Sequence, residues 1–431
     1  MWKERPFFYF TAANTTGQAN RRQLIEDFAR HSKQDLRAED YPTWRTVFRE
    51  ILRGLSQPSV IILDEFQYLA VGGQGLQEVA SELNAVWEQP TDSPVLLVLS
   101  GSALTTMVAL AAGGSPLYGR FNYQTVLKPF NHYYAKELSG LSKNKEAAIM
   151  YACFGGTPRY LAAYDNTISL RQNIERSLLS PQGEVRQLIE TSLEQEEGLR
   201  DVGSYRAILD AVAGGLTERN AIAQRAGLDN DAGLRRRLSK LIELDYLNAR
   251  QNFGAKPNAA IRYELADLAF RFQSYFTVRN RSQLDRLGPE IVYGEVVGPQ
   301  LGTYVGKAFE LIVRESLNKL GGTKDLPLLS ELGTWEGADR NKNSIEIDLV
   351  ARTFDGRTVT GEVKWNDKPV GPSLHTKHLV KLEALASSGH KWAKDALRPD
   401  AVRIYVSANG FKGNWDFEGK QVLLKLEDLY V

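Results

Sequence analysis

Three short apolar runs punctuate the first hundred residues: "PFFYFTA" (6–12), "SVIILDE" (59–65) and "SPVLLVLSGSA" (93–103). Unbroken runs of this length, bounded by Pro or polar residues, predict buried strands. Helical spacing fills the gaps between them. "YPTWRTVFREILRGL" places Trp44, Phe48, Ile51 and Leu52 on one face behind Pro42, and "LQEVASELNAVWEQ" reads as an amphipathic helix. Strands alternating with helices predict an α/β unit around a parallel sheet. Further along, "LTERNAIAQRAGLDNDAGLRRRLSKLIELDYLNARQNFG" changes character: two helices flank the polar turn "LDND", the first ending at Gly227. "YLNARQ" and "AIRYELA" then form a two-stranded wing around Gly254 and Pro257. This is the form of a winged helix-turn-helix, with Ala223 and Gly227 supplying the small residues for close helix packing. Leu268, Phe270, Phe272 and Phe276 follow as an apolar aromatic helix, read as core, with Asp267 as its cap. The last region opens with the amphipathic "VGKAFELIVRESLNKL", continues with the hairpin "SIEIDLVARTFDGRTVTGEVKW" turning at "DG", and ends with a helix at "HTKHLVKLEALA" and the strand "AVRIYVSA".

Size and composition set the frame. The chain has 431 residues, which at roughly 150 per domain suggests about three domains. The expected divisions are 1–165, 166–295 and 296–431. Net charge is +1, so any basic surface is local. The one cysteine, Cys153, excludes an internal disulfide framework and fits a reducing compartment. No apolar run approaches the ~20 residues that span a bilayer. The start "MWKERPFFYFTA" has too short and aromatic an apolar core for a signal peptide. The expected location is the cytoplasm, away from membranes.

Candidate chemistry gathers at strand ends. Ligands of parallel α/β sheets bind at the carboxyl ends of strands, where Asp64, Glu65, Ser100 and Ser102 lie. A phosphate-loop hydrolase needs such groups. Asp64 would hold the Mg²⁺ that bridges ATP phosphates and Glu65 would orient the attacking water. Ser100 or Ser102 would sense the γ-phosphate, and Arg120 in "LYGR" would supply positive charge. The competing reading of a bare Asp-Glu pair is a solvated loop. In the last region, the period of two puts Glu362 and Lys364 on one strand face, and the hairpin brings Asp348 near them. Asp348 and Glu362 would bind Mg²⁺, Lys364 would position or help deprotonate water, and Glu310 would add a helix carboxylate. A surface salt bridge is the plain alternative for Glu362 and Lys364. His375 and His378, at i and i+3, are read as a phosphate contact or a solvated helix end. Arg235, Arg236, Arg237 and Lys240 on the second helix of the winged segment suit DNA contact, or else form a charged solvated face.

The ordered elements "FFYFTA", "YPTWRTVFREIL", "VIILDEFQYL", "LVLSGSA", "PLYGR" and "CFGGTPRYL" resemble the archaeal-type DExx-box ATPases, a branch of the AAA+-like P-loop NTPases. The family's "GG.P.YL" element is matched by Gly155, Gly156, Pro158, Tyr160 and Leu161. "EIDLVA…GEVKW" is similar to its C-terminal segment, and the pattern D-x13-E-x-K resembles the PD-(D/E)xK nucleases. The resemblance implies an N-terminally truncated P-loop sheet, a helical winged-helix middle and a restriction-endonuclease-like α/β end. One departure is severe: G-x-x-x-x-G-K-[ST] occurs nowhere in the 431 residues, and "GTYVGKAFE" has the wrong glycine spacing and Ala308 in place of Ser or Thr. The family's loop would lie before Met1, through a misassigned start, a truncated gene or an adapted domain. Its absence would leave strands facing a gap. Three functions stay open: an ATP- and Mg-dependent protein coupled to nucleic acid, a metal-dependent nuclease with a relic ATPase half, and a non-enzymatic DNA-binding scaffold. Partnership with another protein or a second copy also stays open.

Overall fold

The computed structural model describes residues 5–53, 57–71, 75–89, 94–196, 199, 201–256, 258–323 and 325–430. Pro257 of the expected wing lies outside them. Two compact units divide the chain, Met1–Leu127 and Lys128–Val431. The first unit ends well before residue 165, because the helices around Ala148–Phe154 and Tyr160–Leu161 join the core of the second unit. The second unit holds both later regions together.

The first unit is built on β1 (Phe7–Thr11), β2 (Ser59–Asp64) and β3 (Val95–Leu99), all parallel and ordered β1-β2-β3. Helices Trp44–Arg53 and Leu76–Trp87 stand where the periodicity places them. A further helix, Gly17–Ser32, follows β1. Thr16 caps it, its Oγ1 accepting from Ala19 N–H at 3.2 Å, and Leu24, Ile25 and Phe28 anchor it in the core. Gly17 is obligatory at its start, because a Cβ there would meet Leu69 O at 2.6 Å. Asn20, buried beside it, exchanges hydrogen bonds with Ala13 and donates to Tyr68 O, tying the loop after β1 to the turn after β2.

The strands are buried on one face only. Phe8, Phe10, Ile61 and Leu63 enter the core. Phe7 is 62% exposed, Tyr9 51%, Leu96 39% and Val98 37%. Register lines them up as Phe7–Val60–Leu96 and Tyr9–Ile62–Val98, an apolar ladder across the outer face. The expectation of fully buried strands is corrected here: an unbroken apolar run does not report which of its faces is covered. β3 is also an edge strand, pairing with β2 alone among the described residues.

In the second unit, helices Arg219–Ala226 and Ala232–Glu243 precede the antiparallel pair β4 (Leu247–Arg250) and β5 (Arg262–Leu265). Gly227 caps the first helix at φ 67°, and a Cβ there would meet nothing within 4 Å. Its need is the left-handed backbone, not close packing. Asp267 caps the aromatic helix as expected, accepting from Phe270 N–H at 3.0 Å. The C-terminal sheet contains β6 (Leu329–Ala338), β7 (Ser344–Thr353), β8 (Thr358–Lys364), β9 (Val402–Ser407) and β10 (Lys420–Lys425), in the order β10-β9-β8-β7-β6. β6, β7 and β8 are antiparallel neighbours, and β8, β9 and β10 run parallel. Helix Gly298–Leu320 shares the core that takes Leu349, Ala351 and Val359. Helix Ser373–Ser387 shares the core that takes Ile347 and Val350. The sheet is thus covered on both faces. Gly361 lets β9 approach, since a Cβ there would meet Ile404 O at 1.9 Å. Residues 248–253 are tied to β6: Phe253 N–H donates to Thr334 O at 2.9 Å, and Arg250 reaches Thr334 and Glu336.

The two faces of the first sheet should respond differently to truncation. Leu63→Ala is expected to cost about 2–5 kcal/mol, and Leu96→Ala less than about 1 kcal/mol. Hydrogen exchange of the first-unit sheet measures both. Equal losses would mean that the outer face is packed.

Candidate functional site

At the carboxyl end of the first sheet, the four expected residues converge. Asp64 ends β2, and both of its oxygens are engaged: Ser100 Oγ donates to Oδ1 and Tyr9 OH to Oδ2, each at 2.6 Å. Burial raises the Asp64 carboxyl, but the hydrogen bonds from Ser100 and Tyr9 outweigh it and hold the group below the usual carboxylate range. Glu65 follows in the left-handed region at φ 52°, a strained placement for a non-glycine residue. Its Oε2 collects Ser102 N–H at 3.1 Å, Ser102 Oγ–H at 2.8 Å and the Gln67 amide. The pair is therefore pre-positioned and is not a loosely solvated loop. Arg120 is turned elsewhere, to Glu88 and to Asn84 at 3.0 Å, both within the first unit.

The second unit carries a denser cluster. The carboxylates of Glu310, Glu346 and Asp348 offer oxygens within 4.8 Å of one another. Helix Gly298–Leu320 supplies Glu310, and β7 supplies the other two at a spacing of two residues. Lys307, one helical turn before Glu310, reaches Glu310 at 3.1 Å and Glu346 at 2.6 Å. The fragment "GTYVGKAFE" is thus helical, and its lysine braces acidic groups. Burial pushes the Glu310 carboxyl up to about 7; Lys307 opposes this, while Asp348 and Glu346 add to it. Asp348 Oδ2 accepts Val363 N–H at 2.8 Å and Lys364 Nζ–H at 2.9 Å.

Glu362 faces a different environment. It is 1% exposed. Lys364 Nζ donates to its Oε2 at 2.7 Å, and Lys381 Nζ to its Oε1 at 2.7 Å. His378 Nδ1 lies 3.1 Å from the same Oε1, with Nε2 at 2.9 Å from Thr360 Oγ1. Burial raises the Glu362 carboxyl, but His378 and the two lysines overcome it and hold the group ionised. Burial likewise opposes the Lys364 charge, yet Asp348 and Glu362 keep its pKa above the ordinary lysine range. Asp348, Glu362 and Lys364 are brought together as expected, but Glu346 replaces Glu362 in the carboxylate cluster. The alternation Glu346-Ile347-Asp348 was the signal for it. The histidine reading is corrected: His375 and His378 are buried. His375 pairs with Tyr405 OH at 2.9 Å and stacks on Phe417.

A cation cluster was expected on helix Ala232–Glu243. Arg235 and Arg236 are exposed there and make no ion pair among the described residues. Arg237 reaches Asp201 at 3.4 Å, and Lys240 reaches Glu243 at 3.2 Å. No described helix is long and apolar enough to cross a membrane.

Removing one partner of a buried ion network leaves the others uncompensated. Glu362→Ala, which strands Lys364 and Lys381, should cost about 3–5 kcal/mol. Glu346→Ala, at an exposed pair, should cost less than about 1 kcal/mol. Urea unfolding distinguishes them, and equal tolerance would contradict the role of Glu362 as a hub.

Comparison with known proteins adds to this geometry. Residues 274–379 match the DUF234 family, described as archaeal and bacterial proteins of unknown function. An uncharacterized Methanocaldococcus jannaschii protein, MJECL04, is 24% identical over 314 residues, covering 72% of this chain and 68% of its own. Among solved structures, the Walker-type ATPase PABY2304 of Pyrococcus abyssi covers 63% of this chain and 84% of its own at 20% identity, with a TM-score of 0.44. Aeropyrum pernix ORC1, solved in complex with DNA, covers 64% and 79% at 15% identity, with a TM-score of 0.29. The matched segment takes in helix Gly298–Leu320 and strands β6, β7 and β8, and so contains Glu310, Glu346, Asp348, Glu362 and Lys364.

Proposed function

We propose that the second unit is a divalent-metal phosphodiesterase acting on nucleic acid, within a protein of ATPase ancestry. One observation carries the reading: three carboxylates, Glu310, Glu346 and Asp348, offer oxygens within 4.8 Å of one another, and Asp348 also holds the ammonium of Lys364. Three hard oxygen donors fit Mg²⁺ or Mn²⁺. Glu310, Glu346 and Asp348 would hold the ion. When bound, it would supply Lewis-acid stabilisation of charge on a phosphoryl oxygen. Lys364 stays protonated beside Asp348 and Glu362. Held against Asp348 and Glu362, it would act as a hydrogen-bond donor that orients water or steadies negative charge. Glu362, Lys381 and His378 act one step removed, fixing Lys364 against Asp348.

Arg235 and Arg236 support DNA contact, with helix Ala232–Glu243 as the reading element of a winged helix and β4–β5 as its wing. In the first unit, Asp64, Glu65, Ser100 and Ser102 support Mg-ATP handling. ATP turnover needs in addition a phosphate cradle with its amides and lysine, which these 431 residues do not spell.

The test uses the full chain with plasmid or branched DNA in Mg²⁺ or Mn²⁺. Wild type should cleave, and Lys364→Ala and Asp348→Asn should lose on the order of 100-fold or more in rate. Mn²⁺ should raise the melting temperature of wild type and not of a Glu346→Gln/Asp348→Asn variant. Equal cleavage by wild type and Lys364→Ala would rule out this site. Metal-induced stabilisation without cleavage would favour the DNA-binding scaffold.

A further inference from the structure

The far end of the β7–β8 hairpin carries a second polar site. Its turn is tightly made: Gly356, at φ 87°, donates to Thr353 O at 3.0 Å, and Thr353 N–H donates to Arg357 O at 3.0 Å. Asp355 folds back to accept Arg357 Nε–H at 3.0 Å and the Thr353 hydroxyl, which fixes the guanidinium of Arg357 over the turn. Beside this turn lies a cavity of about 260 Å³. Four cations, Arg352, Arg357, Lys391 and Arg398, line it against two carboxylates, Asp395 and Asp400. Arg398 is spent on Asp395 at 3.0 Å, and Arg357 on Asp355 at 2.8 Å. Arg352 and Lys391 make no ion pair among the described residues, so positive charge is left over.

A buried hydroxyl points to what the cavity would hold. Thr358 pairs across the hairpin with Arg352 and lines the same cavity. It is 3% exposed, yet its Oγ1 has no hydrogen-bond partner among the described residues. A buried hydroxyl ordinarily finds one. A tetrahedral oxyanion would meet these groups together: it accepts from a hydroxyl, takes a guanidinium in bidentate fashion and neutralises a free ammonium. A carboxylate ligand would leave more of these donors unmet.

Position supplies the source of the anion. Arg352 lies four residues along β7 from Asp348, about 13 Å at the rise of a strand. One strand of duplex DNA presents a phosphate every ~3.4 Å along its axis. The cavity thus lies on the order of four phosphate steps from the carboxylate cluster. Resting on the function proposed above, we infer that Arg352, Lys391 and Thr358 form a phosphate subsite that grips a backbone phosphate of the nucleic acid engaged at Glu310, Glu346 and Asp348.

The test uses the full chain, a labelled 20-base-pair duplex in EDTA, and inorganic phosphate as a separate probe. The Arg352→Gln/Lys391→Gln variant should lower the slope of log affinity against log salt by about one to two. Thr358→Val should weaken duplex binding without lowering the melting temperature, a combination that loss of packing would not give. An unchanged salt slope in the double variant, or no duplex binding by wild type, overturns the subsite. So does stabilisation by phosphate, lost in the double variant, with duplex affinity unaffected; the cavity would then serve free phosphate. The two proposals fail separately. Persistent Mn²⁺ stabilisation and cleavage with an unchanged salt slope removes only the subsite. A changed slope with neither Mn²⁺ stabilisation nor cleavage removes only the phosphodiesterase.

Discussion

The second unit is organised around a carboxylate that could not be buried alone. Glu362 sits inside the sheet on β8 at 1% exposure. An ionised carboxylate removed from water costs several kcal/mol unless its lone pairs are filled. Lys364, Lys381 and His378 fill them from two different elements, β8 itself and helix Ser373–Ser387. Lys364 then extends the network to Asp348 on β7. A one-residue slip of β8 would turn Glu362 toward the opposite face and strand all of these charges. The same ions that could serve chemistry therefore also set strand register.

This double duty divides labour among the acidic groups. Glu362 has spent its charge on two lysines, so it is poorly placed to offer a free oxygen to a cation. Glu310, Glu346 and Asp348 share the single ammonium of Lys307 and one contact from Lys364. Negative charge left over there, and positive charge left over around Arg352 and Lys391, sit at different positions along one hairpin. Gly361 allows β8 to lie close against β9 along the stretch between the two ends.

Much of this was legible in the residues. The period of two in "GEVKW" and the "DG" turn located Lys364 against Asp348, and the 3.6 period located Glu310. Hidden features share a physical cause: they depend on partners far away in sequence. Glu346 gains meaning only when Lys307 and Glu310 are brought alongside. His378 reads as a polar helix residue until Thr360 and Glu362 face it. Helix Gly17–Ser32 is mostly polar, with Leu24, Ile25 and Phe28 as its main apolar anchors, so its periodicity is faint. The strand runs near the N-terminus announced strands but not their coverage, because "FFYFT" has the same pattern whether one face or two are packed.

That coverage bears on how the first unit stores its chemistry. Parallel sheets are normally covered on both faces, yet here the ladder of Phe7, Tyr9, Leu96 and Val98 faces outward. The strand ends are held by local polar contacts as well as by the core on the inner face. Asn20 ties the loop after β1 to the turn after β2, and Tyr9 and Ser100 grip Asp64. A left-handed Glu65 costs roughly 1–2 kcal/mol, and the three hydrogen bonds on its carboxylate offset it. The strained Glu65 is thus maintained by specific polar partners on its own carboxylate, and a strained residue of this kind persists only where its surroundings over-determine it.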